Sequence, residues 1–300
     1  MDWPKARAIL LVAFTLVNLI LAYSLWGPDG LFPHVATAPS ERQVQQLKAT
    51  LSDLGLELAA PVPDSPQAMS FLRVKYVSTL DFPVYQPEVS GRQAFPFGDS
   101  APLPSDGPLD HPAPMINRET QAVEYHPGAT FGAAMNLNLQ DRNSVRAAVT
   151  RYLVAEQILP AGAQFSAIYP KTGTDHLIVE YVPMFGLYPV FSGYVRAEVS
   201  SRGVESVSVY WVQSQQYSPV PAKSVRPAAE ALLRLAGRLQ RSNKEKRTIT
   251  DIRLGFYAGR MLTPLQPNLV NGWDTVPVWR IILDDGEVFY INAFNGELES

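Results

Sequence analysis

The feature that most constrains this chain is a run of eighteen residues, 8–25, that contains no charged side chain. Lys5 and Arg7 come directly before the run, and the next basic residue after it is Arg42. Eighteen helical residues extend about 27 Å, close to the roughly 30 Å hydrocarbon core of a bilayer. The run therefore predicts a transmembrane helix over residues 8–26, with everything after it folding on one side of a membrane.

The charges around this run predict its orientation. Basic residues concentrate on the cytoplasmic side of membrane spans, so residues 1–7 are expected in the cytoplasm and the rest of the chain outside the cell membrane. Trp3, Tyr23 and Trp26 would lie at the two bilayer interfaces, where aromatic rings are favoured. A cleaved signal peptide is the alternative, but its apolar region is usually about 7–15 residues long. The length of the run favours a retained anchor.

Within the predicted helix, six residues recur at spacings of three and four and so lie along one stripe. They are Ala8, Leu11, Thr15, Asn18, Ala22 and Leu25. Small and polar side chains on one stripe favour contact between helices in lipid, because the backbones approach closely and an amide finds a partner. Leu11, Thr15, Asn18 and Ala22 are therefore the candidate partner-binding residues. A lone helix that tolerates one Asn and one Thr is the other interpretation, and the sequence leaves both open.

Composition narrows the class of protein. The chain has 300 residues, of which 46% are hydrophobic and 18% charged, so a sizeable core can be buried. Its net charge of -3 gives no basic surface for nucleic acid. The chain has no cysteine, which excludes disulfides, thiolate nucleophiles and cysteine-bound zinc. No cofactor, metal or small-molecule substrate is expected, because the sequence contains no motif that would bind one.

The part beyond the predicted anchor has an α+β pattern. Residues 27–39 form a linker rich in Pro and Gly. Ser40 and Gln43 have the spacing of a capping box and predict a helix over 41–54. Two further helices are predicted, one from near Asp141 and one over residues 227–240, and strands with alternating apolar residues follow each helix. Tight turns between these strands indicate antiparallel sheets with helices packed on one face.

The recurring layout of a helix followed by strands predicts two related extracytoplasmic subdomains. The first covers residues 40–139 and contains a Pro-rich loop at 95–114. The second covers residues 140–300. No exact sequence repeat supports the division, which depends on the order of the predicted elements alone.

Two acidic segments are candidate metal or catalytic sites. In "LDDGEVFYI" (283–291), Asp285-Gly286 between apolar runs predicts a hairpin turn, whereas a Ca²⁺ loop would need more oxygen ligands over about twelve residues. In "DHLIVE", His176 and Glu180 share a strand face but lie about 13 Å apart, too far for joint ligation of a metal. No nucleophile elbow or phosphate-binding loop is present. The sequence therefore predicts a protein that is not an enzyme.

An aromatic segment, "YVPMFGLYPVFSGYV" (181–195), allows two interpretations. Its aromatic residues could belong to the core, with its two prolines marking an irregular connection. Alternatively, they could form an apolar surface that binds another protein.

Three stretches of this chain resemble the YycI regulators, which are relatives of YycH. They are "MDWPKARAILLVAFTLVNLILAY" (1–23), "TITDIRLGFYAG" (248–259) and "VPVWRIILDDGEVFYINAFNGELE" (276–299), and "YPVFSGYVRAEV" (188–199) extends the match to the middle of the chain. The segment 80–118 departs most from the family pattern.

The resemblance implies a non-catalytic function. Members of this family accompany the YycG (WalK) sensor histidine kinase of Gram-positive bacteria, a two-component system that controls cell-wall metabolism. They are single-pass cell membrane proteins with an extracytoplasmic α+β domain. They associate with YycH and the kinase partly through transmembrane helices, and the sign of their effect varies within the family. A PepSY-like ligand-binding or protease-inhibiting module is the alternative, and an extracytoplasmic hydrolase is a third possibility.

Overall fold

The computed structural model describes residues 14, 15, 18, 39–64, 68–77, 115–117, 122–126, 136–240, 246–259, 263–264 and 266–299. The chain divides into an N-terminal unit, Met1–Ala38, and a compact unit, Pro39–Ser300, which we call the body.

The N-terminal unit contains the predicted transmembrane helix over 8–26. Most of that helix lies outside the described residues, and Phe14, Thr15 and Asn18 are helical and exposed. The side-chain amide of Asn18 donates a hydrogen bond to the carbonyl oxygen of Phe14, one turn earlier, at 2.8 Å. Among the residues that the structure describes, no helix is both long and apolar enough to cross a bilayer.

The body begins with a capped helix, as the sequence predicts. Ser40 accepts a hydrogen bond from the backbone of Gln43, and the Gln43 side chain accepts one from the backbone of Ser40, which completes the capping box. Asp141 caps the second helix by accepting from the backbone of Ser144. The three helices of the described body are α1 (Glu41–Asp53), α2 (Arg142–Ala155) and α3 (Ala228–Leu239).

Strands form much of the rest of the body that the structure describes. In chain order they are β1 (Leu56–Leu58), β2 (Ala68–Met69), β3 (Leu72–Val77), β4 (Met115–Ile116), β5 (Val123–Tyr125), β6 (Gln164–Pro170), β7 (Leu177–Val182), β8 (Met184–Phe185), β9 (Tyr188–Pro189), β10 (Tyr194–Ser200), β11 (Gly203–Tyr217), β12 (Lys223–Ser224), β13 (Arg247–Tyr257), β14 (Trp273–Leu283), β15 (Val288–Asn292) and β16 (Leu298–Glu299). A short 3₁₀ helix, Pro267–Leu269, precedes β14.

One large curled sheet contains two antiparallel meanders. The first meander consists of β6, β7, β10 and β11 and follows α2. The second consists of β13, β14, β15 and β16 and follows α3. β3 pairs with the end of β11 and with the start of β14, so it joins the two meanders edge to edge. β1 pairs in parallel with the start of β13.

The two meanders also pack face to face. One face of the first meander packs against α2, and one face of the second packs against α1 and α3. The opposite faces meet each other through apolar side chains of β6, β7, β14 and β15, among them Tyr169, Val182, Val278, Ile282 and Tyr290. The layers therefore run helix, sheet, sheet, helix.

This architecture confirms the predicted α+β class. Strands from both predicted subdomains contribute to the same sheet, because β1 and β3 pair with strands of the second half of the chain. The two helix-and-meander arrangements that the structure describes both lie after residue 140. The division at 139/140 itself stays a prediction.

Candidate functional site

A group of charged side chains lies between the two meanders, which we call the ionic cluster: Glu180, Arg196, Asp251 and Arg280. Arg280 on β14 donates to Glu180 on β7 at 2.5 Å and to Asp251 on β13 at 3.0 Å. Arg196 on β10 donates to the other oxygen of Glu180 at 2.8 Å. Ser166 on β6 accepts a further hydrogen bond from Arg280 at 2.8 Å. The cluster links four strands, two from each meander.

Glu180 and Arg280 are out of contact with solvent, with side-chain exposures of 2% and 1%. Burial opposes ionisation of Glu180, but the positive charges of Arg196 and Arg280 outweigh it, so the pKa of the Glu180 carboxyl lies below its ordinary value. The guanidinium of Arg280 also lies 4.4 Å from the ring centroid of Phe191. Among the described residues, the buried Nε of Arg280 has no hydrogen-bond partner. The carboxylate of Glu180 and the two terminal nitrogens of Arg280 bond to groups between the meanders, so the geometry supports a structural function.

The lowered pKa of Glu180 predicts acid sensitivity. Below the ordinary value of 4.5 the unfolded chain takes up a proton at Glu180 while the folded chain does not, so the free energy of unfolding falls as the pH decreases through this window. In Glu180→Gln the side chain at position 180 takes up no proton in this range, so its contribution to the pH dependence of the free energy of unfolding is absent. In urea titrations between about pH 3 and pH 6, we expect a smaller pH slope for Glu180→Gln than for the wild type. Glu57→Gln, at an exposed position, serves as the control. Equal slopes for the wild type and Glu180→Gln would contradict the prediction.

A second charged group surrounds His176 at the edge of the first meander. Its Nδ1 lies 2.6 Å from Glu198, and its Nε2 lies 3.6 Å from Asp175. Lys171 donates to Glu198 at 2.7 Å, and the Ser206 hydroxyl donates to it at 3.3 Å. Burial raises the pKa of Glu198, but the hydrogen bonds from Lys171 and His176 outweigh this and lower it.

This second group does not have the geometry of a catalytic triad. A hydrolytic triad needs the nucleophile on one nitrogen of the base and the carboxylate on the other. Both ring nitrogens of His176 face carboxylates, and Ser206 bonds to Glu198 instead of to the histidine. His176 and Glu180, which were compared as ligands from the sequence, contact different partners. Among the residues that the structure describes, no three His, Asp or Glu side chains could together hold a metal ion.

The predicted turn at Asp285-Gly286 is confirmed. Gly286 has a φ of 87°, a conformation that favours glycine, and its N–H donates to Leu283 at 3.0 Å. The adjacent carboxylates of Asp285 and Glu287 both pair with Arg247, the latter at 2.7 Å. Both carboxylates are therefore paired with the guanidinium of Arg247.

The aromatic segment 181–195 contains both core residues and a surface feature. Tyr181 and Phe191 are buried, which agrees with the core interpretation. Between them, β8 and β9 form a two-residue hairpin in which Phe185 pairs with Tyr188. Gly186, at the first turn position, has a φ of 59°, as a tight hairpin requires.

The tip and flank of this hairpin form an apolar surface. Leu187, the second turn residue, is 89% exposed. Tyr217, at the end of β11, is 48% exposed, and its ring centroid lies 5.0 Å from that of Phe185. We call Phe185, Leu187, Tyr188 and Tyr217 the hairpin patch. Phe256, which is buried below it, contacts the rings of Phe185, Tyr188 and Tyr217 at centroid distances of 6.2–6.4 Å.

The base of the hairpin is held firmly against β13. The N–H of Phe191 donates to the carbonyl oxygen of Phe256 at 2.7 Å, and the N–H of Ala258 donates to the Ser192 hydroxyl at 2.7 Å. A Cβ atom on Gly255 would overlap the carbonyl oxygen of Pro189, so only glycine allows this close approach. The hairpin patch is therefore displayed on a fixed support.

Of the four candidate partner-binding residues, Leu11 and Ala22 lie outside the described residues. Thr15 and Asn18 are three residues apart on one exposed helix face. The bond from Asn18 to its own helix uses one of the two N–H groups of the amide.

Sequence reasoning missed the ionic cluster. The signal was a single charged residue at the centre of an apolar strand, in "LIVEYV" (177–182) and in "VWRIIL" (278–283). Charged side chains at such positions are almost never buried unless they are paired. That rule predicts a partner for Glu180 and for Arg280, although it does not identify the partner.

Comparisons with known proteins give no family for this chain. No protein-family model matches it, and no curated protein matches it. One solved structure to which it is similar is that of an uncharacterized protein from Eubacterium rectale ATCC 33656, at 9% sequence identity. The match covers 86% of this chain and 98% of that chain, with a TM-score of 0.41. Likeness at this level carries no argument about function, and the predicted relationship to YycI stays a prediction.

Proposed function

We propose that this protein is a non-catalytic regulator, anchored in the cell membrane by one helix, that binds a sensor histidine kinase of the YycG (WalK) type together with a YycH-like partner. In this proposal residues 8–26 span the bilayer, the N-terminus is cytoplasmic and the body lies outside the cell membrane. The regulated process is cell-wall homeostasis. The resemblance of the N-terminal, central and C-terminal stretches to YycI supports the assignment.

One observation carries the proposal most directly. The boundary at Ala38 separates a compact body from an N-terminal unit whose residues 8–25 carry no charge. A run of this kind favours retention of the chain in a membrane, and a regulator of a membrane kinase gains proximity from it. When this chain and the kinase are confined to one membrane, the effective concentration of each transmembrane helix near the other is raised.

Regulation requires that the protein binds one signalling state of the kinase more tightly than the other. The stripe of Leu11, Thr15, Asn18 and Ala22 is the proposed contact. In hydrocarbon, an amide that bonds across to another helix stabilises the pair by about 1–2 kcal/mol in model peptides. Asn18 keeps a carbonyl and one N–H for such a bond after its contact with Phe14.

Removal of the polar groups from this stripe tests the proposal. We expect the full-length double variant Thr15→Leu/Asn18→Leu to lose most of its co-purification with the kinase from detergent-solubilised membranes, because the partner helix loses its hydrogen bonds. The matched control is Leu16→Ala/Ile20→Ala, which changes the opposite face of the predicted helix. Equal recovery of the kinase with both double variants would contradict the contact.

A truncated chain, residues 27–300, tests whether the contact with the kinase depends on the N-terminal unit or on the body. If cross-linking from membranes captures the kinase with the full chain but not with this form, the contact depends on the N-terminal unit. Retention of the kinase by the truncated form would move the function to the body.

A PepSY-like ligand-binding or protease-inhibiting module is the second candidate, since α3 precedes an antiparallel meander. Such a module would keep its activity in the truncated chain. The buried polar groups that would favour it, Glu180 and Arg280, pair with each other between the meanders.

A further inference from the structure

We propose that the hairpin patch of Phe185, Leu187, Tyr188 and Tyr217 contacts the lipid surface of the membrane to which the chain is anchored. The proposal rests on the membrane anchoring stated above and adds a second membrane contact, made by the body. Its direct basis is a leucine that is 89% exposed at the tip of a fixed hairpin, next to a half-exposed tyrosine.

Two segments of the chain form this surface, and neither carries a charge. No Asp, Glu, Lys or Arg occurs from Tyr181 to Val195 or from Ser206 to Ala222. Protein–protein interfaces surround their apolar centre with a polar rim, and charges there fix register and partner choice. A lipid surface needs no such register. The absence of charge from these two segments therefore favours lipid over a protein partner.

The chemistry of the four side chains suits the interfacial layer of a bilayer. Tyrosine rings are favoured at the level of the headgroups, where the ring is apolar and the hydroxyl stays hydrated. The leucine at the turn can reach the upper part of the acyl chains, as the apolar side chains of interfacial segments do.

A patch of this size binds membranes weakly by itself, as a single lipid chain does. The anchor compensates for this weak affinity, because it makes the contact between the patch and the lipid intramolecular. The effective concentration of the patch at the lipid surface is then in the millimolar range. The thirteen residues of the linker, 27–39, can extend by at most about 45 Å. In this proposal the anchor and linker keep the body near the bilayer, and the patch is the part of the body that contacts the lipid.

The absence of cysteine from the chain allows a clean test with single labels. The full-length Leu187→Cys variant carries an environment-sensitive fluorophore and is reconstituted in phosphatidylcholine–phosphatidylglycerol vesicles, with or without lipids that bear a spin label near the headgroup. We expect the spin-labelled lipids to reduce its fluorescence at least twofold. The control is Asp175→Cys, whose side chain is 92% exposed in the turn between β6 and β7 and whose label should be unaffected.

A second pair of variants tests whether the quenching at position 187 arises only because the dye itself is attracted to lipid. A label on Tyr217→Cys should also be quenched, and Leu187→Asp in that background should abolish the quenching. Because Leu187 is a solvent-exposed turn residue, this substitution leaves the core intact. Quenching of Tyr217→Cys that survives Leu187→Asp overturns the contact of the hairpin tip with lipid.

The failure of this proposal is distinguishable from the failure of the anchoring. If the chain does not remain with the vesicles during flotation at high salt, the anchoring is wrong. If the chain floats but the labels at 187 and 175 behave alike, the lipid contact is wrong. If the label at 187 becomes shielded only after the purified kinase is added, the patch binds protein and the lipid contact is likewise overturned.

Discussion

Glu180→Gln is expected to lower the free energy of unfolding of the body by about 3–5 kcal/mol, the usual cost of breaking a buried ion pair by removing one partner. The substitution keeps the shape of the side chain, so the loss comes from charge. Without the carboxylate, Arg196 and Arg280 face each other between the sheets, and Asp251 is the only remaining anion of the ionic cluster. Urea unfolding of the full-length chain in detergent, followed by tryptophan fluorescence, measures the effect, because Trp211, Trp273 and Trp279 are buried.

An ion pair on the surface provides the control for Glu180→Gln. Glu205 pairs with Arg202 at 3.2 Å, and the Arg202 side chain is 79% exposed. Glu205 also accepts a hydrogen bond from the buried Ser200 hydroxyl at 2.5 Å, and the amide oxygen of glutamine can keep this bond. Glu205→Gln should therefore cost at most about 1 kcal/mol, as solvent-exposed pairs do. A loss for Glu180→Gln no larger than for Glu205→Gln would show that the ionic cluster contributes nothing beyond a surface pair.

A double variant tests whether the loss comes from the uncompensated charge. Glu180→Gln/Arg280→Met removes one charge of each sign and leaves Arg196 and Asp251 in balance. Buried pairs replaced by apolar groups are often nearly neutral in stability, so the double variant should lose less than the sum of the two single variants. Additive losses would contradict a direct interaction between Glu180 and Arg280.

Local signals account for the features that the sequence predicts well. The capping box of Ser40 and Gln43, the cap at Asp141 and the turn at Gly286 each depend on side chains within a few residues of one another. Alternation of apolar residues then gives the strands, because one face of each strand is buried. These features together determine the α+β class.

The pairing of the two sheet faces could not be predicted in the same way. Both faces of the central strands are apolar, so alternation does not identify the face that meets a helix and the face that meets the other meander. Glu180 and Arg280 are one hundred residues apart in the chain, and only the packing of β7 against β14 brings them together. The sequence of 181–195 likewise left core and surface open, since its aromatic residues divide between the two.

The two meanders behave as one body because separate contacts connect them. The ionic cluster links the strands in the interior, and β3 joins the meanders at their edges. A third contact lies at the turns, where the Thr172 hydroxyl donates to the carbonyl oxygen of Asp285 at 3.2 Å. These contacts join the two meanders in the interior, at the edges and at the turns of one compact body.

The contact at the turns depends on Gly286. An added Cβ atom there would overlap the carbonyl oxygen of Pro170, at the end of β6. Gly286→Ala therefore has to separate the tips of the two meanders, besides adopting a φ of 87°. The matched control is Gly173→Ala, at a φ of 78° in the neighbouring turn, where an added Cβ meets nothing within 4 Å.

Both variants bear the cost of a left-handed backbone in a residue with a side chain, about 1–2 kcal/mol. Only Gly286→Ala adds the cost of overpacking, about 1–3 kcal/mol, because the clashing atom belongs to the backbone and cannot rotate away. We therefore expect Gly286→Ala to lower the free energy of unfolding, measured by urea titration of the full chain in detergent, by about 1–3 kcal/mol more than Gly173→Ala does. Equal losses would mean that the two turns do not press against each other in solution, and that the ionic cluster, the apolar contacts between the sheet faces and β3 hold the meanders together.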